Sequence, residues 1–369
     1  MFVFDAVFTT LCILGGFGFL VFVHELGHFL AMLAVRCSVE EFSVGFGKEL
    51  YGKTIGQVRW KISWIPLGGY VRALEKPRDS SEEADQRERL ELYGRSRREV
   101  KEMIQEKNYL EDLSGLRQFF VFAMGPAFSF LLGWVLLAGV YGTWGSKDFI
   151  YPLRVTLIQD STTANASNLQ NEDTIEKVNG FSVSSMSDLV LAANRGDKDR
   201  ISIEFTRDGI PHTTSFPRHS RSGITHLGIA FEHKSSVHKP WQAISKSLKD
   251  SLNSFYDVFR MLGLMSNGEI SPRISSGPVG ITNIFYQVRN SPADFLRLLA
   301  LLSINLCSFN LLPIPFLDGG KMCFGLAKCF IRRSTRSPLQ ERVMIASILL
   351  LAVLFLAITI SDIARLFGV

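Results

Sequence analysis

The chain has 369 residues, of which 47% are hydrophobic and 20% charged. That is too apolar for an ordinary soluble protein of this size and fits membrane helices joined to water-exposed parts. The net charge of +5 is too small to argue for nucleic-acid binding, so no nucleic-acid partner is expected. The five cysteines (Cys12, Cys37, Cys307, Cys323 and Cys329) show no C-x-x-C spacing. They read as small apolar fillers rather than ligands or disulfides.

The chain opens on a mostly apolar run from residue 1 to 34. It has no basic leader and no small-residue cleavage site, Asp5 stands near its start, and it holds two His and one Glu. It reads as a retained membrane helix, not a signal peptide. A bilayer takes about 20 apolar helical residues, and four segments qualify: 7–33, 119–141, 295–312 with a broken continuation to 331, and 343–360. The connection between the last two holds Lys321, Lys328, Arg332, Arg333, Arg336 and Arg342 against Glu341. Basic loops stay inside, so this connection and 35–118 are expected in the cytoplasm, with 145–294 and both termini outside.

Residues 39–72 alternate and are rich in β-formers, among them Phe42, Val44, Phe46, Val58, Trp60, Ile62, Trp64 and Ile65, with glycines between. They predict a short sheet lying against the membrane. Residues 75–112 carry dense charge of both signs and predict a solvated helical insert. Residues 151–235 read as a small α+β domain. It has apolar strands at 155–158, 201–205 and 227–231, turns at Asn179-Gly180 and Asp208-Gly209, and a serine-capped helix over 187–193. From Pro240, an apolar stripe of Trp241, Ile244, Leu248, Leu252, Phe255, Phe259 and Leu262 predicts an amphipathic helix that lies on the membrane surface or packs on the domain, the surface being preferred.

The chemistry concentrates in His24-Glu25-Leu26-Gly27-His28. Residues four apart share a helix face, so both imidazoles can meet one metal, and neutral imidazole suits zinc. Glu25 projects nearby and can take a proton from water. Three ionisable groups in one turn of a membrane helix are expensive unless they function. A catalytic zinc needs a third protein ligand. Asp318 is the only acid in 311–330, in the run Asn310-Leu-Leu-Pro-Ile-Pro-Phe-Leu-Asp318-Gly319-Gly320. Pro313 and Pro315 break the helix there, and Gly319-Gly320 are expected to let the backbone turn. Broken backbone at membrane depth belongs inside protein or beside a water-filled cavity. His24 lies ~26 Å along the first span, near the inner leaflet. Asp318 lies at the inner end of the third span, so the two are expected at one depth.

With these motifs the chain resembles the site-2 protease family, in its bacterial RseP-like branch of intramembrane zinc metalloproteases. The family HExxH matches His24, Glu25 and His28, and its N-x-x-P-x-x-x-L-D-G matches Asn310, Pro313, Leu317, Asp318 and Gly319. Gly45-Phe46-Gly47, 66–71, Gly125-Pro126 and 276–281 also match. The resemblance implies zinc held by His24, His28 and Asp318, with Glu25 as general base and Asn310 helping to hold substrate. It implies cleavage within transmembrane helices near the cytoplasmic face, after an upstream site-1-type protease. The substrates would be single-pass membrane proteins of the anti-sigma-factor type, or remnant signal peptides, in the bacterial inner membrane. The α+β domain is similar to a single extracytoplasmic PDZ domain. Glu172 stands there where the pattern has glycine, and 227–229 is similar to a carboxylate-binding loop but reads first as a strand.

The expected architecture is a multi-pass α-helical membrane protein of about four transmembrane helices, with a membrane-associated β-sheet and an inserted α+β PDZ domain. Its parts are 1–38 (first span with HExxH), 39–74 (β region), 75–117 (charged insert), 118–144 (second span) and 145–238 (PDZ). There follow 239–294 (amphipathic helix and connector), 295–331 (broken third span) and 332–369 (fourth span). The rival from another class is a membrane-anchored PDZ scaffold with a structural or vestigial metal site. A structural zinc needs four ligands, and three candidates are found. A transporter would need repeated halves, and none are seen.

Overall fold

The computed structural model describes residues 2–77, 79–94, 100, 109–149, 151–158, 168–184, 186–195, 200–217, 229–269, 277–330 and 338–366. In chain order the elements begin with α1 (Phe2–Ala34), β1 (Val39–Ile55), β2 (Val58–Ala73), α2 (Ser80–Leu92), a 3-10 turn (Leu110–Asp112) and α3 (Gly115–Thr143). Next come β3 (Ser146–Phe149), β4 (Leu153–Ile158), β5 (Thr174–Val178), β6 (Phe181–Ser182), α4 (Met186–Asn194), β7 (Arg200–Arg207) and β8 (Ile210–Pro217). The chain ends with β9 (Ile229–Phe231), β10 (His233–Ser236), α5 (Pro240–Ser266), α6 (Pro278–Val288), α7 (Pro292–Asn310), α8 (Asp318–Phe330) and α9 (Pro338–Leu366). They form two compact units, Met1–Leu136 with Ile284–Leu354, and Leu137–Asn283 with Phe355–Val369.

Among the described residues four helical stretches are long and apolar enough to cross a membrane: Thr10–Ala34, Gly115–Thr143, Pro292–Asn310 and Arg342–Ala364. They coincide with the four expected spans. Their side chains are apolar around most of the circumference, the composition that suits a lipid-facing helix. Pro126 lies inside α3 without ending it, as spans tolerate. The basic residues Arg332, Arg333 and Arg336 lie outside the described residues.

In the first unit the β region forms as expected, with one refinement. Residues 41–44 of β1 pair with 69–72 of β2 and also with 59–62. This stretch is therefore enclosed by β2 on both sides. The chain hooks round at Gly68 (φ +139°), with a bulge opposite at Gly45 (φ +93°). Phe42 and Trp60 stack with ring centroids 4.6 Å apart, and both meet Phe29 of α1 edge-on at 5.6 and 5.1 Å. Phe22 also meets Phe42 at 5.7 Å. Each such aromatic pair contributes about 0.5–1.5 kcal/mol beyond burial. The cluster fastens the sheet to the half of α1 that carries His24 and His28.

Most of α2 is exposed, as expected of a solvated insert, but Gln86 and Leu90 are buried and the insert is tied to the β region. Asp79 caps α2 by accepting from the Ser81 and Glu82 amides at 2.9 Å. Leu90 is fully buried and clusters with Leu74, Val100 and Tyr109. Arg89 donates to Glu40 at 2.6 and 3.1 Å. Tyr93 donates to Glu41 at 2.5 Å, and Tyr70 and Lys61 donate to that same carboxylate. Glu40 and Glu41 are wholly buried. The charge run does not show these partners, which lie about fifty residues back in β1.

Burial alone would push the Glu41 carboxyl up. Hydrogen bonds from Lys61, Tyr70 and Tyr93 outweigh it and hold it below its ordinary value. A folded-state value below the unfolded one means this stabilisation is complete at neutral pH. It is lost as pH falls through the depressed value. Glu41→Ala strands three half-buried donors, Lys61 among them, and is expected to cost about 3 kcal/mol. The readout is a lower melting temperature with faster amide exchange over 39–73. Wild-type exchange there would contradict the assignment.

The second unit contains the expected α+β domain. Its sheet runs β8-β7-β5-β4-β9, with β6 on β5, and β3 pairs separately with β10. The core is Leu153, Val155, Ile175, Val178, Leu189, Ile201, Ile203, Phe205 and Phe231 with smaller neighbours. Both expected turns form, with left-handed φ at Asn179, Gly180, Asp208 and Gly209. Asn179 also closes the end of α4, donating to the carbonyls of Ala192 and Arg195 at 3.0 and 2.7 Å. That helix begins one residue before the expected start, at Met186, and the Ser184 hydroxyl donates to Asp188 in its first turn at 2.7 Å. Glu172, where glycine was expected, has φ +75°. The backbone keeps the shape that favours glycine although the residue differs. Residues 227 and 228 of the suspected carboxylate-binding loop lie outside the described residues; Ile229 opens β9.

α5 forms over the expected span. Its buried positions are the small Ala243, Ser247 and Ser251, while Trp241, Ile244, Leu252 and Tyr256 are exposed. Tyr141 near the end of α3 donates to Asp250 at 2.9 Å. Of the apolar stripe, Trp241, Ile244 and Leu252 are thus exposed, while Leu248, Phe255, Phe259 and Leu262 are half-buried.

Candidate metal centre

His24 and His28 sit four apart on α1 and so share one face. They are 6% and 7% exposed, and Asp318 is 6% exposed. Asp318 Oδ2 lies 3.1 Å from His24 Nε2 and 3.2 Å from His28 Nε2, and the two Nε2 atoms are 3.3 Å apart. One ligand atom of each residue lies within 4.8 Å of the others. This is the only such cluster among the described residues, and it brings together the three expected ligands.

The donor set fits zinc: two imidazole nitrogens and one carboxylate oxygen, three protein ligands that leave a position open. The hydrogen bonds behind the ligands support the fit. His28 Nδ1 lies 2.8 Å from the Val121 carbonyl. A carbonyl only accepts, so Nδ1 carries the proton and Nε2 keeps its lone pair for a metal. His24 Nδ1 lies 2.9 Å from Ser129 Oγ.

Three local features bring the ligands together. The first is the break between α7 and α8. Asn310 ends α7, Pro313 and Pro315 follow, and Asp318 is the first residue of α8. An acid there also suits the positive end of the helix. Its carboxylate nonetheless faces the histidines, with Oδ1 3.7 Å from Lys321. The expected role of Gly319-Gly320 needs correction: neither has a left-handed φ, and both lie in the first turn of α8. They provide close approach instead. A Cβ on Gly319 would strike the carbonyls of Leu311 and Leu312, and one on Gly320 that of Ile314. The second feature anchors the far end of α8, where Lys328 donates to the carbonyls of Glu111 and Leu113 at 2.5 and 2.7 Å.

The third feature is the approach of α1 to α3. A Cβ on Gly27 would strike the Met124 carbonyl, and one on Gly125 would strike the His28 ring. Small residues at a crossing let two spans come close. Glu25, half-buried beside the two histidines, lies against β2: a Cβ on Gly69 would sit 3.3 Å from its Cγ. Asn310 is half-buried, eight positions before Asp318. Val121 and Ser129 carry no signal in the sequence. A backbone carbonyl has no sequence signature, and a lone serine in an apolar span is commonplace. Gly125 belongs to a sequence motif, but the ring it accommodates is visible only in three dimensions.

Comparisons with known proteins agree with this geometry. The profile of peptidase family M50 matches residues 12–354, a range that includes all three clustered residues. A protein of Rickettsia conorii assigned to the zinc metalloproteases is 30% identical, over 95% of this chain and 96% of its own. Zinc metalloprotease RasP of Shouchella clausii is 28% identical over 98% of this chain and 100% of its own, and that of Bacillus licheniformis 26% over 95% and 97%. The chain therefore belongs to peptidase family M50, the site-2 protease family, and is a zinc metalloprotease.

Proposed function

We propose that this protein hydrolyses peptide bonds inside the membrane-spanning helices of other proteins, with zinc held by His24, His28 and Asp318. The observation that carries this reading is the buried convergence of those three side chains from helices apolar enough to cross a bilayer or adjoining one. The substrates are single-pass membrane proteins of the anti-sigma-factor type, or remnant signal peptides, first shortened by a site-1-type protease. The setting is the bacterial inner membrane, in regulated intramembrane proteolysis. The site lies towards the cytoplasmic leaflet, and residues 145–238 form a single extracytoplasmic PDZ domain that limits which substrates enter. The exposed part of the apolar stripe of α5 rests on the bilayer surface.

A substrate helix hides its peptide bonds in its own hydrogen bonds and must unwind before hydrolysis. The sheet of β1 and β2 beside Glu25 receives the extended segment by strand addition. Asn310 binds the freed backbone, whose unpaired groups would each cost several kcal/mol in lipid. Zinc, when bound, polarises the scissile carbonyl and makes water acidic enough to ionise near neutral pH. Glu25 takes the proton of the attacking water and delivers it to the leaving amine. Val121 holds the His28 ring with Nε2 directed at Asp318.

Cleavage of a model substrate with one membrane helix, in detergent, tests the proposal. Chelation of zinc is expected to abolish cleavage, and zinc added back to restore it. Cleavage that persists in demonstrably zinc-free protein would overturn the reading.

A further inference from the structure

The two ligand histidines present Nε2 to Asp318 and Nδ1 to α3, a helix that supplies no ligand itself. For His28 the partner is the carbonyl of Val121, which leaves one possible tautomer. For His24 the partner is the hydroxyl of Ser129 at 2.9 Å, which can donate or accept. Ser129 has no solvent exposure. Its carbonyl accepts from the Ser303 hydroxyl of α7 at 2.7 Å, and Ser303 is equally buried. The residue is thus pinned between two helices with its side chain on the back of the His24 ring.

Physical chemistry settles the direction of the bond. If His24 offers Nε2 to a metal, its single proton resides on Nδ1, and Ser129 Oγ accepts it. The other tautomer would offer the metal a nitrogen that carries a proton, and a flipped ring would offer it a carbon. We propose that Ser129 is a positioning residue: its hydroxyl accepts the Nδ1 proton of His24 and fixes the ring in the tautomer and orientation that bind zinc. The second span then orients both ligands, His28 through backbone and His24 through a side chain that substitution can remove. This inference rests on the zinc site proposed above.

The test measures zinc affinity of the full-length protein in detergent, by competition with a chromophoric chelator, together with the melting temperature of the zinc-free form. Outer-shell partners of this kind are worth about 10–100-fold in metal affinity. Ser129→Ala is expected to lose that much; it also leaves the His24 Nδ1–H unpaired and lowers the zinc-free melting temperature somewhat, whereas a mere packing role would lower the melting temperature without the loss of affinity. Ser129→Thr keeps the hydroxyl and Ser129→Val has the same shape without it, so their comparison isolates the hydroxyl even if alanine folds poorly. Threonine is expected to bind zinc more tightly than valine by the same factor. Equal zinc affinity in the threonine and valine variants, or in wild type and Ser129→Ala, overturns the role of Ser129. His24→Ala serves as reference. If it binds zinc like wild type, the metal site itself is wrong; if it alone loses zinc, the site stands and only the positioning role falls.

Discussion

Glu25→Gln is expected to lower the cleavage rate by about 10²–10⁴-fold while the protein keeps its zinc. Glutamine matches glutamate in size and can still accept a hydrogen bond, but it cannot take a proton from water at neutral pH. The substitution leaves the metal-facing atoms of His24, His28 and Asp318 where they are, within 3.3 Å of one another. Both side chains also have the same Cγ, the atom that a Cβ on Gly69 would approach to 3.3 Å. Zinc content and cleavage therefore separate, which is the signature of a lost proton-transfer group rather than a lost fold. Both are measured on the same detergent preparation. Zinc-loaded Glu25→Gln protein that cleaves within tenfold of wild type would remove Glu25 from the mechanism.

Gly125→Ala is expected to lose zinc and cleavage together. A Cβ at that position would lie 2.5 Å from Cε1 and 2.8 Å from Cδ2 of His28, and nearer still to Nε2. The ring cannot simply swing aside, because Nδ1 is held by Val121 and Nε2 faces Asp318. Either the ring turns and gives up both, or α3 retreats from α1 and takes Val121 with it. Overpacking of this kind costs about 1–3 kcal/mol. Gly139 on the same helix makes the control: a Cβ there meets nothing within 4 Å. Gly139→Ala should keep full zinc and full activity. Full zinc in Gly125→Ala would mean that the helices separate more easily than this packing implies.

Much of the fold was legible because lipid-compatible helices need long apolar runs and strands need alternation. Both signals are local. The spans, the β region, the Asn179-Gly180 and Asp208-Gly209 turns and the start of α5 at Pro240 all follow from neighbours in the chain. The insert was legible as a largely exposed helix, but the contacts of its inner side were not. Its partners Glu40 and Glu41 lie in β1, and nothing in a charge run says which carboxylate it will meet. Gly319 and Gly320 were legible as important and misassigned as turn-formers. A glycine needed for its φ and a glycine needed for its missing Cβ look the same in sequence.

For the candidate site the division is sharper. His24, Glu25 and His28 follow from helix periodicity alone, because a spacing of four residues defines one face. Asp318 follows from chemistry, as an acid beside broken backbone in an apolar stretch. The convergence of Asp318 on the histidines at 3.1 and 3.2 Å was decided only by the tertiary structure. So were the carbonyl behind His28, the hydroxyl behind His24 and the glycine that admits the His28 ring. The physical reason is one of range. Periodicity, hydropathy and turn chemistry act between residues close along the chain, whereas a metal centre is completed by groups from helices about a hundred to three hundred positions apart. Only packing sets the distances between those groups.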